Sequence, residues 1–228
     1  MNLPLLISVP HGGVRIPPEV ESLNALTLEQ IIEDSDEAAT DIYPFRGAVT
    51  AFVATDIARA YVDVNRAETD RGKDGVVKTH TIYEVPIYRQ PLQIKHIHML
   101  LTRYYRPYHS KLTLLSGGVK LGIDCHTMAA LAPPMSADAK SKRPSICLSC
   151  ADGTCPKDWF DLMAECLAGS FGCEVSLNDP FKGGHIIRHH ATELPWMQLE
   201  LSRAEFTGLA EKRARVLQAF KEWCENVI

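Results

Sequence analysis

The sequence predicts a three-layer α/β/α sandwich on a mainly parallel mixed sheet, and three observations carry that prediction. Strand-like and helix-like runs alternate along the chain. The strand-like runs are short, apolar and rich in branched residues, and are closed by turn residues. Polar clusters fall at their ends, where α/β folds build sites. No linker or internal repeat divides the chain, so residues 1–228 read as one domain.

Residues 5–9 form the first strand, closed by Pro10-His11-Gly12-Gly13, which puts His11 at a strand end. Residues 27–40 have helical spacing, with Thr27 and Gln30 as a capping box, and carry Asp34, Asp36 and Glu37. Residues 48–54 and 60–64 read as two further strands, the second running into Asn65 and Arg66. From Ile94 a three-four repeat through Ile97, Leu101, Tyr104, Tyr108, Leu112 and Leu115 predicts a long helix kinked at Pro107 and ended by Gly117-Gly118. Residues 119–124 form a strand delivering Cys125 and His126, and residues 145–149 another. A helix over 159–171, strands over 174–177, 185–189 and 197–201, and a last helix over 209–227 complete the pattern.

The composition narrows the function classes. The 228 residues are 46% hydrophobic and 23% charged with a net charge of −4, which excludes disorder and fibrous repeats. No block of about five or six like charges offers nucleic acid a footprint. No run reaches the roughly eighteen apolar residues of a membrane span. Seven cysteines without framework spacing fit a reducing compartment, and the expected location is cytoplasmic.

Two strand-end histidines, His11 beside glycines and His126 behind Asp124, can supply two ligands for a zinc that wants three protein ligands and a water, where either alone would read as a hydrogen-bonded structural residue. The third can come from the acidic helix, as Asp36 or Glu37, unless both only solvate an exposed face. Glu200 stands in an otherwise apolar run, where a buried carboxylate suits a general base and an outward one only solvates a face. Arg66, after Asn65, can fork onto a substrate carboxylate or pair with Asp63 or Glu68 at the surface. Cys147-x-x-Cys150 with Cys155 lacks the second pair of a zinc knuckle, and Cys125 reads as core. His189-His190 and His96-x-His98 read as packing or solvated residues and receive no role.

The clusters Ser8-Val-Pro-His-Gly-Gly13, Asp36 with Tyr43, Val62-Asp-Val-Asn-Arg66, Tyr108-His109, Asp124-Cys-His-Thr127, Asn178-Asp-Pro-Phe-Lys-Gly-Gly184 and Gln198-Leu-Glu-Leu201 span nearly the whole chain. In this order the sequence resembles the N-formylglutamate amidohydrolase family, which is similar in fold to the zinc carboxypeptidases and aspartoacylases. The resemblance implies a phosphorylase/hydrolase-like, zinc exopeptidase-like fold. It also implies one divalent metal, Zn2+, on His11, Asp36 and His126, with Glu200 as base and Asn65 and Arg66 on a substrate carboxylate. The carboxypeptidase-like pattern has an acid three residues after its first ligand histidine. Val14 stands there in this chain, so Asp36, with Glu37 next, is the matching acid.

The implied reaction splits the amide of a small acidic N-acyl amino acid, N-formyl-L-glutamate first, with Lys182 or Arg188 gripping its second carboxylate. The alternatives are a zinc deacylase or carboxypeptidase-like hydrolase on another N-acyl amino acid, or a non-catalytic module that binds an acidic metabolite.

Overall fold

A computed structural model describes residues 2–227. Six strands form one sheet in the order β2-β1-β3-β6-β4-β5: β1 Leu3–Val9, β2 Val49–Ala54, β3 Leu121–Met128, β4 Ile146–Ser149, β5 Ser176–Leu177 and β6 Trp196–Ser202. The first four in spatial order run parallel, whereas β4 pairs antiparallel with β6 and parallel with β5. The sheet is mixed and mostly parallel, as the sequence predicts.

Helices cover both faces, and the period-two alternation of the strands assigns each face its chemistry. One face sends Leu5, Ile7, Ile123, Cys125, Leu199 and Leu201 into a core with α2 (Ala39–Ile42), α5 (Lys157–Phe171) and α7 (Leu209–Val227). The other packs Leu6 and Trp196 with α1 (Leu28–Asp34), α3 (Ile94–Leu100), α4 (Arg106–Leu115) and α6 (His185–His189). On that second face Ser8, Asp124, His126, Gln198 and Glu200 are all buried. Apolar packing therefore fills one side of each central strand, and the other side gathers buried polar groups that hydrogen-bond to one another at the strand ends.

Four sequence expectations need correction. The helix over 27–40 is two helices. Its capping box forms, with Gln30 N–H donating to Thr27 Oγ1 and Thr27 N–H to Gln30 Oε1. The helix stops at Asp34, however, and resumes only after Ala38 takes the left-handed conformation at φ 63°. Asp36 lies in this break, where its N–H donates to His11 O at 3.0 Å. The run over 60–64 is buried but, among the described residues, pairs with no strand, because Tyr61 N–H turns back onto Ala58 O. An apolar run of that length does not tell a buried loop from a strand by periodicity. The run over 185–189 is helix, turning Ile186 and Ile187 inward together. Finally, β3 extends to Met128, so Cys125 and His126 lie within it.

The long helix is interrupted by a π-helical turn over Leu101–Tyr105 just before Pro107. Proline has no N–H for the residue four back and its ring crowds that carbonyl, and the widened turn relieves both. Among the described residues no helix is long and apolar enough to cross a membrane.

Candidate metal and substrate site

The carboxyl ends of β1, β3 and β6 and the break between α1 and α2 converge on a cavity of about 600 Å³, with His11, Asp36, Asp63, Asn65, His126 and Glu200 in its wall. Tight approach brings His11 there, since a Cβ on Gly13 would lie 2.3 Å from the Asp56 backbone. The ligand atoms of His11, Asp36 and His126 all lie within 4.8 Å of one another, and all three residues are buried. His126 Nδ1 stands 2.8 Å and His11 Nδ1 3.5 Å from Asp36 Oδ2. Glu37 points to solvent, and only its backbone carbonyl is engaged, by the Thr127 hydroxyl.

Each histidine is backed by a carboxylate. His11 Nε2 donates to Asp63 Oδ1 and His126 Nε2 to Asp124 Oδ2, both at 2.8 Å. Asp124 is itself held by the Ser8 hydroxyl at 2.7 Å, which also meets the Tyr108 hydroxyl. Such backing fixes the tautomer so that the opposite nitrogen presents a lone pair to a metal. His11 Nδ1 is buried without any hydrogen-bond partner, an arrangement that costs free energy unless a donor or a cation faces it. The donor set of two imidazoles and one carboxylate suits zinc with one position open.

The electrostatics agree. Burial works against the Asp36 charge, yet His11 and His126 hold its carboxyl well below the usual range. Burial also opposes the His126 imidazolium, but Asp124 and Glu200 raise it well above the ordinary value. A cation is therefore favoured between these carboxylates, whether proton or metal. Glu200, opposite His126 in the β3–β6 register, is pushed by burial up to about 7, against the pull of His126. Its Oε1 accepts from Gln198 Nε2 at 2.9 Å, and Gln198 Oε1 accepts from Gly184 N–H.

The proposed cations scatter more. Asn65 lies in the wall, donating to Asp124 Oδ2 at 3.2 Å and accepting from Ile186 N–H at 2.8 Å. Arg66 also lines the cavity, but its guanidinium is engaged by Asp74 and stands 3.8 Å from Asp63. Lys182 is exposed at the rim. Arg188 is outside the wall, folding its guanidinium onto the carbonyls of Lys182 and Gly183.

Three arginines in the wall were missed by sequence reasoning. Arg59 bridges Asp36 and Asp63 at 3.4 Å each. Arg143 pairs with Asp138 at 2.8 Å. Arg203 donates to Ser35 O at 3.3 Å. Arg203 had a legible signal, because it follows the strand that carries Glu200. The 129–143 segment forms another wall through Pro133, Met135 and Asp138, pinned by the Leu131–Lys142 bridge.

The sequence profile described as N-formylglutamate amidohydrolase matches residues 3–207. The chain is 28% identical over 223 residues to the N-formylglutamate deformylase of Pseudomonas putida, covering 90% of this chain and 82% of that protein. The corresponding deformylase of Pseudomonas aeruginosa is 27% identical over 225 residues with the same coverage. The crystal structure of N-formylglutamate amidohydrolase from Ralstonia eutropha JMP134 shares the fold, with a TM-score of 0.82 at 24% identity over 99% of this chain and 94% of that one.

Proposed function

The chain belongs to the N-formylglutamate amidohydrolase family, and from that premise we propose that it hydrolyses the amide of N-formyl-L-glutamate to formate and glutamate with the aid of a divalent metal, zinc. The observation that carries the metal is the buried triad His11, Asp36 and His126, with an orphaned His11 Nδ1 and a carboxylate behind each imidazole. Zinc bound there would polarise the formyl carbonyl and acidify water.

The protein's own groups do the rest. Glu200, desolvated and raised toward neutrality, takes the proton from the attacking water and returns it to the leaving amine. Gln198 holds one Glu200 oxygen, which leaves the other free for that proton. Arg66, beside Asn65, takes one substrate carboxylate by exchanging it for Asp74. Arg203 and Lys182 serve the other, since neither side chain is consumed by an ion pair as Arg59 and Arg143 are. Arg188 supports the glycine loop that carries Lys182. A substrate with a single carboxylate would leave Arg203 and Lys182 without an anionic partner, which favours a dianion.

Amine release from a panel of N-formyl and N-acetyl amino acids, run on chelator-stripped and zinc-reloaded protein, tests both parts. N-formyl-L-glutamate should lead and activity should return with zinc. Preference for N-formylmethionine or an N-acetyl amino acid refutes the specificity. Undiminished rates in protein with less than about a tenth of an equivalent of any metal refute the metal.

A further inference from the structure

Behind the Asn65-Arg66 segment lies a group of histidines that hydrolysis does not use. His109 on α4 and His190 just after α6 are buried, while His189 is exposed. The rings of His109 and His190 are nearly coplanar, at 12°, with Nδ1 of the first 2.9 Å from Nε2 of the second. Head-to-head rings at that distance share a proton along one line, whereas a metal would draw both lone pairs toward a point beside that line.

The proton positions follow from the partners. His109 Nε2 faces Val64 O at 2.9 Å, and a carbonyl only accepts, so that nitrogen carries the proton. His109 Nδ1 must then accept from His190 Nε2–H. His190 Nδ1 in turn donates to Glu193 Oε2 at 2.9 Å, a carboxylate fixed by the Thr113 hydroxyl at 2.8 Å, so the two rings hold three protons between them and His190 is the imidazolium, its charge opposed by burial and supported by Glu193. The chain Glu193, His190, His109 thus aims one N–H at one backbone carbonyl.

That carbonyl is the first of three taken in succession. Arg66 O accepts from the Tyr105 hydroxyl at 2.9 Å, and Asn65 O accepts from His185 N–H at 3.4 Å. The helices α4 and α6, with the π-helical turn between α3 and α4, therefore clasp the backbone of residues 64–66. The side chains of Asn65 and Arg66 project from this segment into the cavity wall. A loop so fixed loses its own mobility and needs less ordering when ligand binds.

We propose that His109 is a positioning residue for substrate binding, setting Asn65 and Arg66 through Val64 O, with His190 and Glu193 fixing its tautomer. The proposal rests on the reading of Asn65 and Arg66 as carboxylate-binding. His109→Leu removes the N–H, and His109→Gln restores one near the place of Nε2. KM and kcat for N-formyl-L-glutamate are measured separately on the zinc-loaded enzyme, with zinc content and thermal unfolding alongside.

The expected result for His109→Leu is a KM raised on the order of tenfold, kcat changed by less than about threefold and a full zinc equivalent, with most of the KM effect reversed in His109→Gln. If the leucine variant does not fold, Tyr105→Phe removes only the hydroxyl on Arg66 O and should raise KM in the same direction. An unchanged KM in folded His109→Leu, equal losses in kcat and KM, or no recovery with glutamine overturns the proposal. Arg66→Ala separates the two readings. A normal KM there sinks the carboxylate-binding reading itself, while a raised KM there beside a normal one in His109→Leu sinks only the positioning role.

Discussion

Replacing Glu200 by glutamine should cost activity and raise the stability of the metal-stripped protein together, and the burial of the carboxyl gives the direction of both. The substituted amide can still accept from Gln198 through its oxygen, so the packing of a 5% exposed side chain is preserved. It cannot take a proton from water, and turnover should fall by about 10² to 10⁴. The stability effect follows from the raised carboxyl, at 4.5 unperturbed and about 7 when folded. Between those values the folded protein holds a proton that the unfolded chain has released, so stability falls as pH rises through the window. At about 1.4 kcal/mol per pH unit, the raised carboxyl costs the metal-stripped fold about 3 kcal/mol at pH 8.5, where it is ionised, and about 1 kcal/mol at pH 5.5, where it stays protonated while the unfolded chain ionises. Urea unfolding of stripped wild type and Glu200→Gln at those two pH values measures the difference. The variant should be more stable at both, by about 2 kcal/mol more at the higher pH. A variant less stable at pH 8.5, or one with near-wild-type turnover, would refute the assignment of a desolvated base.

Asp124→Asn should weaken zinc binding about 10- to 100-fold, measured against a competing chelator, because His126 Nε2 loses the carboxylate behind it. Arg203→Ala should lower kcat/KM for N-formyl-L-glutamate by about tenfold or more while sparing a substrate with one carboxylate, and equal losses on both would assign Arg203 to the scaffold. Lys78→Met strands Asp34, whose oxygens lie 3.0 and 2.9 Å from the buried Lys78 Nζ. It should destabilise by about 3–5 kcal/mol in denaturant unfolding, with substantial recovery in the double variant Lys78→Met/Asp34→Asn. Gly184→Ala would place a Cβ 2.3 Å from Asn65 Nδ2 and should raise KM as that amide is displaced.

What could be read from the chain was what local pattern encodes. The strands at 5–9, 48–54 and 197–201 carry their pairing in apolar runs, and Thr27 with Gln30 announces its own cap. The polar residues of alternating strands could be seen to share a face, although their burial came only from what packs over them. The break that delivers Asp36 was invisible because the stretch keeps helical spacing. It is imposed by Asp34 engaging Lys78 and the Ile82 N–H, and by Asp36 N–H reaching His11 O. The same limit hid Arg59 and Arg143, whose roles depend on acids 4 to 23 and 5 positions away. His190 reads as a packing or solvated residue, since nothing local links it to His109, which lies 81 residues earlier.

The strand order has a consequence for biosynthesis. β6, the last strand in the chain, sits between β3 and β4. Until residues 196–202 leave the ribosome, β3 and β4 each present an unpaired inner edge, and the sheet has an empty slot where Glu200 will lie. His11, Asp36 and His126 have all been made by then. The nascent chain thus holds the three proposed ligands before the proposed base, and insertion of one central strand both pairs the two inner edges and brings Glu200 opposite His126. Closure of the sheet and assembly of the proposed site become a single event.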